Sequence, residues 1–129
     1  MNDAARTVST IAWFEIAVTD FDRAVKFYER VLGEPVQREK MGESDMGVFR
    51  HQGETSVGGA LWRGDGCKPS AEGTVVYFQA QPDLAAALAR VEPAGGRVVV
   101  PKTALPGDMG HFAQFLDSEG NRVGLYSTK

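Results

Sequence analysis

Residues Thr10–Gly33 read TIAWFEIAVTDFDRAVKFYERVLG, and their pattern decides the fold. From Ile11 to Thr19 apolar and polar positions alternate as in a strand, with Phe14, Ile16 and Val18 on one face. Asp20 then offers an N-cap. Behind it Ala24, Phe27, Tyr28, Val31 and Leu32 recur at helical spacing, forming the single apolar stripe of a half-buried helix. Gly33 stands where a left-handed C-terminal cap belongs, and Pro35 follows it. The strand leaves Trp13 and Glu15 side by side on its second face. A carboxylate next to a large indole is an odd choice for a face that meets only water.

Working outward, short strands are expected near Val36–Lys40, Gly47–His51 and Ser56–Trp62, with turns at Gly42 and at QGET, residues 52–55. RGDGCKPSAEG, Arg63–Gly73, is a polar linker. After it the order recurs. Thr74–Gln79 reads as a strand, and Pro82–Pro93 contains a helix with Leu84, Leu88 and Val91 on one face, ended by Ala94–Gly96. Strands follow near Arg97–Val100, His111–Leu116 and Asn121–Ser127, the last two joined by the turn DSEGN, Asp117–Asn121. A shift of 61 residues lays Asp22 on Asp83 and Phe27 on Leu88, and a shift of 66 lays Val57-Gly58 on Val123-Gly124. Neither half buries enough surface alone. The expectation is therefore an α+β fold in a single domain, 1–129, made of two βαβββ modules. These span about 9–63 and 73–129, with a linker at 64–72, and form a curved, mostly antiparallel sheet around a cleft with helices outside. Trp13 and Glu15 then face that cleft.

Composition narrows the partners. With 43% apolar and 24% charged residues and a net charge of −3, the chain has the balance of a soluble globular protein. Its basic residues are scattered, the densest cluster being Arg38–Lys40, which argues against a nucleic-acid partner. Cys67 is the lone cysteine, so no internal disulfide forms and a reduced compartment is favoured. Neither a signal pattern in MNDAARTVST nor a membrane-length apolar run is present, and a cytoplasmic location without a membrane partner is expected.

FEIAVTDFDRAVKFYERVLG, GGRVVVPKT and GHFAQFLDSEGNRVGLYS together resemble the glyoxalase/bleomycin-resistance/ring-cleavage dioxygenase superfamily, also called the vicinal oxygen chelate fold, and within it small glyoxalase-like bacterial members. The resemblance covers about Ile11 to Ser127 and implies a paired βαβββ fold, a small-molecule ligand and a homodimer. It also implies a divalent metal held by His, Glu or Gln on four strands. Counting back seven residues from Asp20 puts the first ligand position at Trp13. The other three fall on Gly58 (or Gly59), Thr74 and Gly124. Indole offers only an N–H and glycine no side chain, so these residues are not metal ligands, and neither a metal nor another cofactor is expected.

Glu15, two residues beyond Trp13, reads either as a partly exposed carboxylate or as a group that binds a ligand or acts as a base. His111, which with His51 completes the histidines, opens a strand after the loop LPGDMG and is read as a structural residue or an acid-base partner. Strand parity puts Trp13, Trp62, Phe78 and Tyr126 on the cleft side, an aromatic lining suited to a flat or cationic ligand. Lys102, in PKT, is read as an exposed lysine or a contact for an anionic ligand. Phosphate-binding loops and nucleophile elbows are absent. Three functions follow from these residues: a metal-free binder of a small organic molecule, a metal-independent acid-base enzyme using Glu15, and a metal-dependent lyase, isomerase or dioxygenase.

Overall fold

The computed structural model describes residues 9–50 and 56–129. His51 and the QGET turn lie outside the described residues. The elements run β1 (Trp13–Ala17), α1 (Phe21–Leu32), β2 (Val36–Met41), β3 (Ser44–Phe49), β4 (Gly58–Arg63), β5 (Tyr77–Gln79), α2 (Ala85–Ala89), β6 (Arg97–Ala104), β7 (His111–Leu116) and β8 (Arg122–Ser127). The order is βαβββ twice. One sheet has the order β1-β4-β3-β2 and the other β5-β8-β7-β6. In each, the first strand runs parallel to the last and the remaining pairs are antiparallel.

Local chemistry accounts for α1. The Asp20 carboxylate accepts from the Arg23 amide at 3.0 Å, and Gly33, at φ 75°, sends its N–H back to the Glu29 carbonyl. The apolar stripe between these caps buries Ala24, Val25, Phe27, Tyr28 and Val31. α2 is shorter than the pattern of Pro82–Pro93 suggests: a single helical run, Ala85–Ala89, gives way to turns, while Leu84 and Val91 still reach the core.

One core joins the modules. Phe14 from β1 meets Phe78 from β5 edge to face at 5.6 Å, and Tyr28 and Phe49 complete an aromatic group around them. Phe27 touches Phe115 at 5.9 Å, so α1 also packs on the second sheet. The continuous sheet expected from the repeat resolves into two ladders, with ring packing rather than backbone pairing at the junction of β1 and β5. Both helices lie on the side of Phe14 and Phe78, called here the helix side. The opposite faces of both sheets form the open side.

The hairpin turn Asp117–Asn121 does more than reverse the chain. Asp117, 4% exposed, accepts from the Tyr28 hydroxyl at 2.6 Å, and Asn121 donates to the Ala17 carbonyl at 2.7 Å. Glu119 accepts from the amides of Thr19 and Asp20 at 2.9 and 2.8 Å and pairs with Arg23 at 2.7 Å. The turn of the second module thus satisfies free amides at the start of the first module's helix. Burial pushes the Glu119 carboxyl up, but Arg23, the two amides and the Ser118 hydroxyl outweigh it and hold the group at about 2. Burial first, and then the Asp117 charge, raise the Tyr28 phenol well above its ordinary value.

Candidate functional site

Strand pairing defines what each face carries. Phe14 lies over Gly59 on the helix side, where a Cβ would collide with the ring, so its neighbours Trp13 and Glu15 point to the open side. Trp13 is in register with Gly58, Glu15 with Ala60 and Ala17 with Trp62. Met46 pairs with Trp62 and Val48 with Ala60, which extends the same face across β3. In the second sheet Tyr77 is in register with Gly124 and Gln79 with Tyr126. Tyr77 lies on Gly124 as Phe14 lies on Gly59, but on the opposite, open side.

The two β-strands that open the modules therefore correspond as Trp13-Phe14-Glu15 and Tyr77-Phe78-Gln79. This corrects the frame set by Asp22 and Asp83. Thr74 is not in β5, and the residue facing Gly124 as Trp13 faces Gly58 is Tyr77. The α2 N-cap is Leu84, seven residues beyond Tyr77, as Asp20 is seven beyond Trp13. The correction also moves Phe78. It packs on the helix side against Phe14, Tyr28 and Phe49 and is core, while Tyr77 takes the open-side place. Of the alternatives Gly58 and Gly59, Gly58 shares the face of Trp13.

The expected residues separate into groups. Trp13, Glu15 and Trp62 share the open side of the first sheet, and Tyr126 lies on the open side of the second. The Trp13 indole N–H donates to the Glu15 carboxylate at 3.3 Å, so the odd neighbours of the sequence are hydrogen-bonded partners. Tyr126 donates its hydroxyl to the Met109 carbonyl at 2.8 Å, which secures its ring beside Gly110. His111 and Lys102 belong elsewhere. His111 alternates with buried Ala113 and Phe115 and is in register with Ser127, which puts it on the helix side; its Nδ1 is buried without a partner. Lys102 pairs with Asp83 at 2.9 Å, just ahead of α2. No geometry unites His111 with Glu15.

Sequence parity did not reveal three further open-side residues. Gln114 is in register with Gly124 and donates to the Tyr77 hydroxyl, and Arg122 donates to Gln114 at 3.0 Å. The signal was present in the alternation of β7, where Phe112 and Gln114 take the positions that alternate with buried Ala113 and Phe115. The large apolar residues left exposed also gather around this side: Trp13 (43%), Tyr77 (44%) and Met41 (51%) lie on it, with Ile11 and Met109 at its margins. A recess of about 350 Å³ along α1 is lined by Asp22, Arg23 and Lys26, but Asp22 pairs with Lys26 and Arg23 with Glu119. That recess therefore offers no convergent free groups. Among the described residues, no three His, Cys, Asp or Glu side chains cluster in a way that holds a metal, and no helix is long and apolar enough to cross a membrane.

Residues 10–125 match the sequence model of the Glyoxalase/Bleomycin resistance protein/Dioxygenase superfamily. No curated protein matches the chain. Among solved structures, a glyoxalase/bleomycin resistance protein from Albidiferax ferrireducens is similar at TM-score 0.66 and 20% identity, covering 92% of this chain and 98% of that one. The genomically encoded fosfomycin resistance protein FosX from Listeria monocytogenes is similar at TM-score 0.64 and 16% identity, over 93% of this chain and 91% of that one. A glyoxalase I mutant from Zea mays reaches TM-score 0.68 at 20% identity over 91% of this chain; the match spans only 45% of the maize chain. At these identities the likeness is one of fold.

Proposed function

Because the chain belongs to the glyoxalase/bleomycin resistance protein/dioxygenase superfamily, we propose that it binds a small organic molecule on the open side of its sheets, without the divalent ion of the family's enzymes. The carrying observation is the donor set at the four inherited ligand positions: Trp13, Gly58, Tyr77 and Gly124. An indole, a phenol and two glycines do not fit a divalent ion, which needs several imidazole, thiolate or carboxylate ligands. The same exchange supplies two exposed rings on the open side, with Trp62 farther along the first sheet and Tyr126 two residues from Gly124 in the second. Rings of this kind stack on flat ligands, and Glu15 adds an acceptor for a cation or an N–H. A second copy of the chain covering the exposed residues is part of this reading, since an uncovered sheet face does not enclose a ligand. Sedimentation velocity should then report a dimer.

The test is elemental analysis of untagged protein followed by thermal melting with Ni²⁺, Zn²⁺, Mn²⁺ and Fe²⁺. A metal bound by the folded state at a thousandfold excess over Kd stabilises by ~4 kcal/mol. The expected result is no stoichiometric metal and no shift; a bound metal with a large shift returns the protein to the metalloenzymes.

A second reading rests on the Glu15 carboxylate, which sits on the open side with a single long bond from Trp13. In a metal-independent enzyme it takes a proton next to a substrate carbonyl. Glu15→Gln separates the two: turnover of any substrate found vanishes if Glu15 is a base, whereas a binder loses only affinity.

A further inference from the structure

On the open side of the second sheet, three side chains form one directed chain of hydrogen bonds. Arg122 Nη1 donates to Gln114 Oε1 at 3.0 Å, Arg122 Nε is fixed on the Ala71 carbonyl at 3.2 Å, and Gln114 Nε2 donates to the Tyr77 oxygen. Chemistry forces the direction. A guanidinium has only N–H donors, so the amide must turn its oxygen to Arg122 and its NH₂ to Tyr77. The Tyr77 oxygen accepts, and the single phenolic proton is left pointing away from Gln114. Tyr77 is 44% exposed and finds no acceptor for that proton among the described residues. Its ring is meanwhile held against Gly124 and Phe112, whose centroid lies 6.3 Å away. The matching donor in the first module, the Trp13 N–H, is already engaged by Glu15.

We propose that Tyr77 is a recognition residue whose O–H, aimed by Gln114 and Arg122 as positioning residues, donates to the oxygen of a carbonyl or carboxylate group on a flat conjugated ligand. This rests on the open side being the binding face. A phenol whose oxygen already accepts a hydrogen bond is a stronger donor through its own proton. The inference accounts for an exposed tyrosine with a preset proton, which ring burial alone does not require.

Calorimetric titration of the full chain with naphthalene, 2-acetylnaphthalene, 2-naphthoate and 2-naphthylmethylammonium tests it. The two oxygen-bearing probes are expected to bind about tenfold more tightly than naphthalene, the worth of one good hydrogen bond. Tyr77→Phe keeps the ring and should remove that preference, so that the oxygen-bearing probes bind the variant no more tightly than naphthalene binds it. Gln114→Glu keeps the shape but replaces the NH₂ by a carboxylate oxygen, which takes the Tyr77 proton for itself. The preference should then vanish or turn toward the ammonium probe, a reversal that a merely structural role for Gln114 does not produce. Preference for naphthoate alone assigns the site to carboxylates, and preference for both to carbonyl oxygens in general. An oxygen preference that survives Tyr77→Phe, or none in the unaltered protein, overturns the inference while leaving the binding face intact. Failure of every probe to bind the unaltered protein overturns the binding-face reading, and the inference with it.

Discussion

The first strands of the two modules hold Trp13-Phe14-Glu15 and Tyr77-Phe78-Gln79 in the same places, yet only the middle residue does the same work in both. Phe14 and Phe78 meet each other in the shared core. Trp13 directs its N–H to Glu15 and leaves a carboxylate on the open side, whereas Tyr77 accepts from Gln114 and leaves a proton there. One half of the face thus presents an acceptor and the other a donor. On the helix side the two rings must fit each other, which accounts for the same residue at 14 and 78. On the open side no ring of one module has to fit a ring of the other, and there the halves diverge, each side chain held by hydrogen bonds within its own sheet.

The comparison is broken most directly on the helix side. Phe14→Ala and Phe78→Ala should each destabilise by about 3–4 kcal/mol in urea unfolding, because both empty the same aromatic group. A difference above about 2 kcal/mol between them would show that the halves are unequal in the core as well. Next in size is the link between modules. Glu119→Gln should cost about 2 kcal/mol, the worth of a carboxylate held at about 2 against an ordinary value of 4.5 after allowance for the exposure of Arg23. The sign follows from the depressed value: this stability is fully present above pH ~4.5 and is lost as pH falls toward 2, so the variant's unfolding curve should lack that acid-dependent portion.

Smaller effects sharpen the contrast between the faces. Gly59→Ala drives a Cβ into a Phe14 ring already packed by Phe49 and Phe78, and should cost about 1–3 kcal/mol. Gly124→Ala makes a similar collision with Tyr77, but that ring borders open space and can swing, so the cost should stay below about 1 kcal/mol. Its consequence should instead be a lost oxygen preference in the probe titration, since the hydroxyl moves with the ring. Least of all, Glu15→Gln should change the melting free energy by less than about 0.5 kcal/mol, because its bond to Trp13 is long and exposed.

The residues that were legible in the sequence were those whose signal is local. The Asp20 cap, the Tyr28 stripe and the Gly33 terminus each depend on neighbours within a turn or two, and they lie where the pattern put them. Thr74 was misplaced because the frame of the second module was set by the 61-residue shift that lays Asp22 on Asp83 and Phe27 on Leu88, whereas Trp13 and Tyr77 correspond across 64. Asp83 imitates Asp22, but α2 begins at Ala85, and a two-sided alternation slips with every miscount. Phe78 followed that slip into the wrong face. The Arg122-Gln114-Tyr77 chain spans three strands and was not visible from any one of them. His111 had the right residue type for acid-base chemistry, but its face is set by the register of β7 on β8, which the chain order alone leaves open.

The contact between Glu119 and the start of α1 joins residues about a hundred positions apart. For a chain growing on a ribosome, α1 is made long before its outside partner exists. Until residue 119 has emerged, the Thr19 and Asp20 amides must be hydrated, and the Tyr28 phenol has no Asp117 to meet. The first module is therefore a waiting partner, unable to complete its own polar interior until the turn of the second module has been made. Contacts of such separation slow folding and leave apolar surface uncovered in the interval. In that interval Phe14 has Phe49 of its own module to stack on but not yet Phe78, so one side of its ring stays uncovered until the second module is in place.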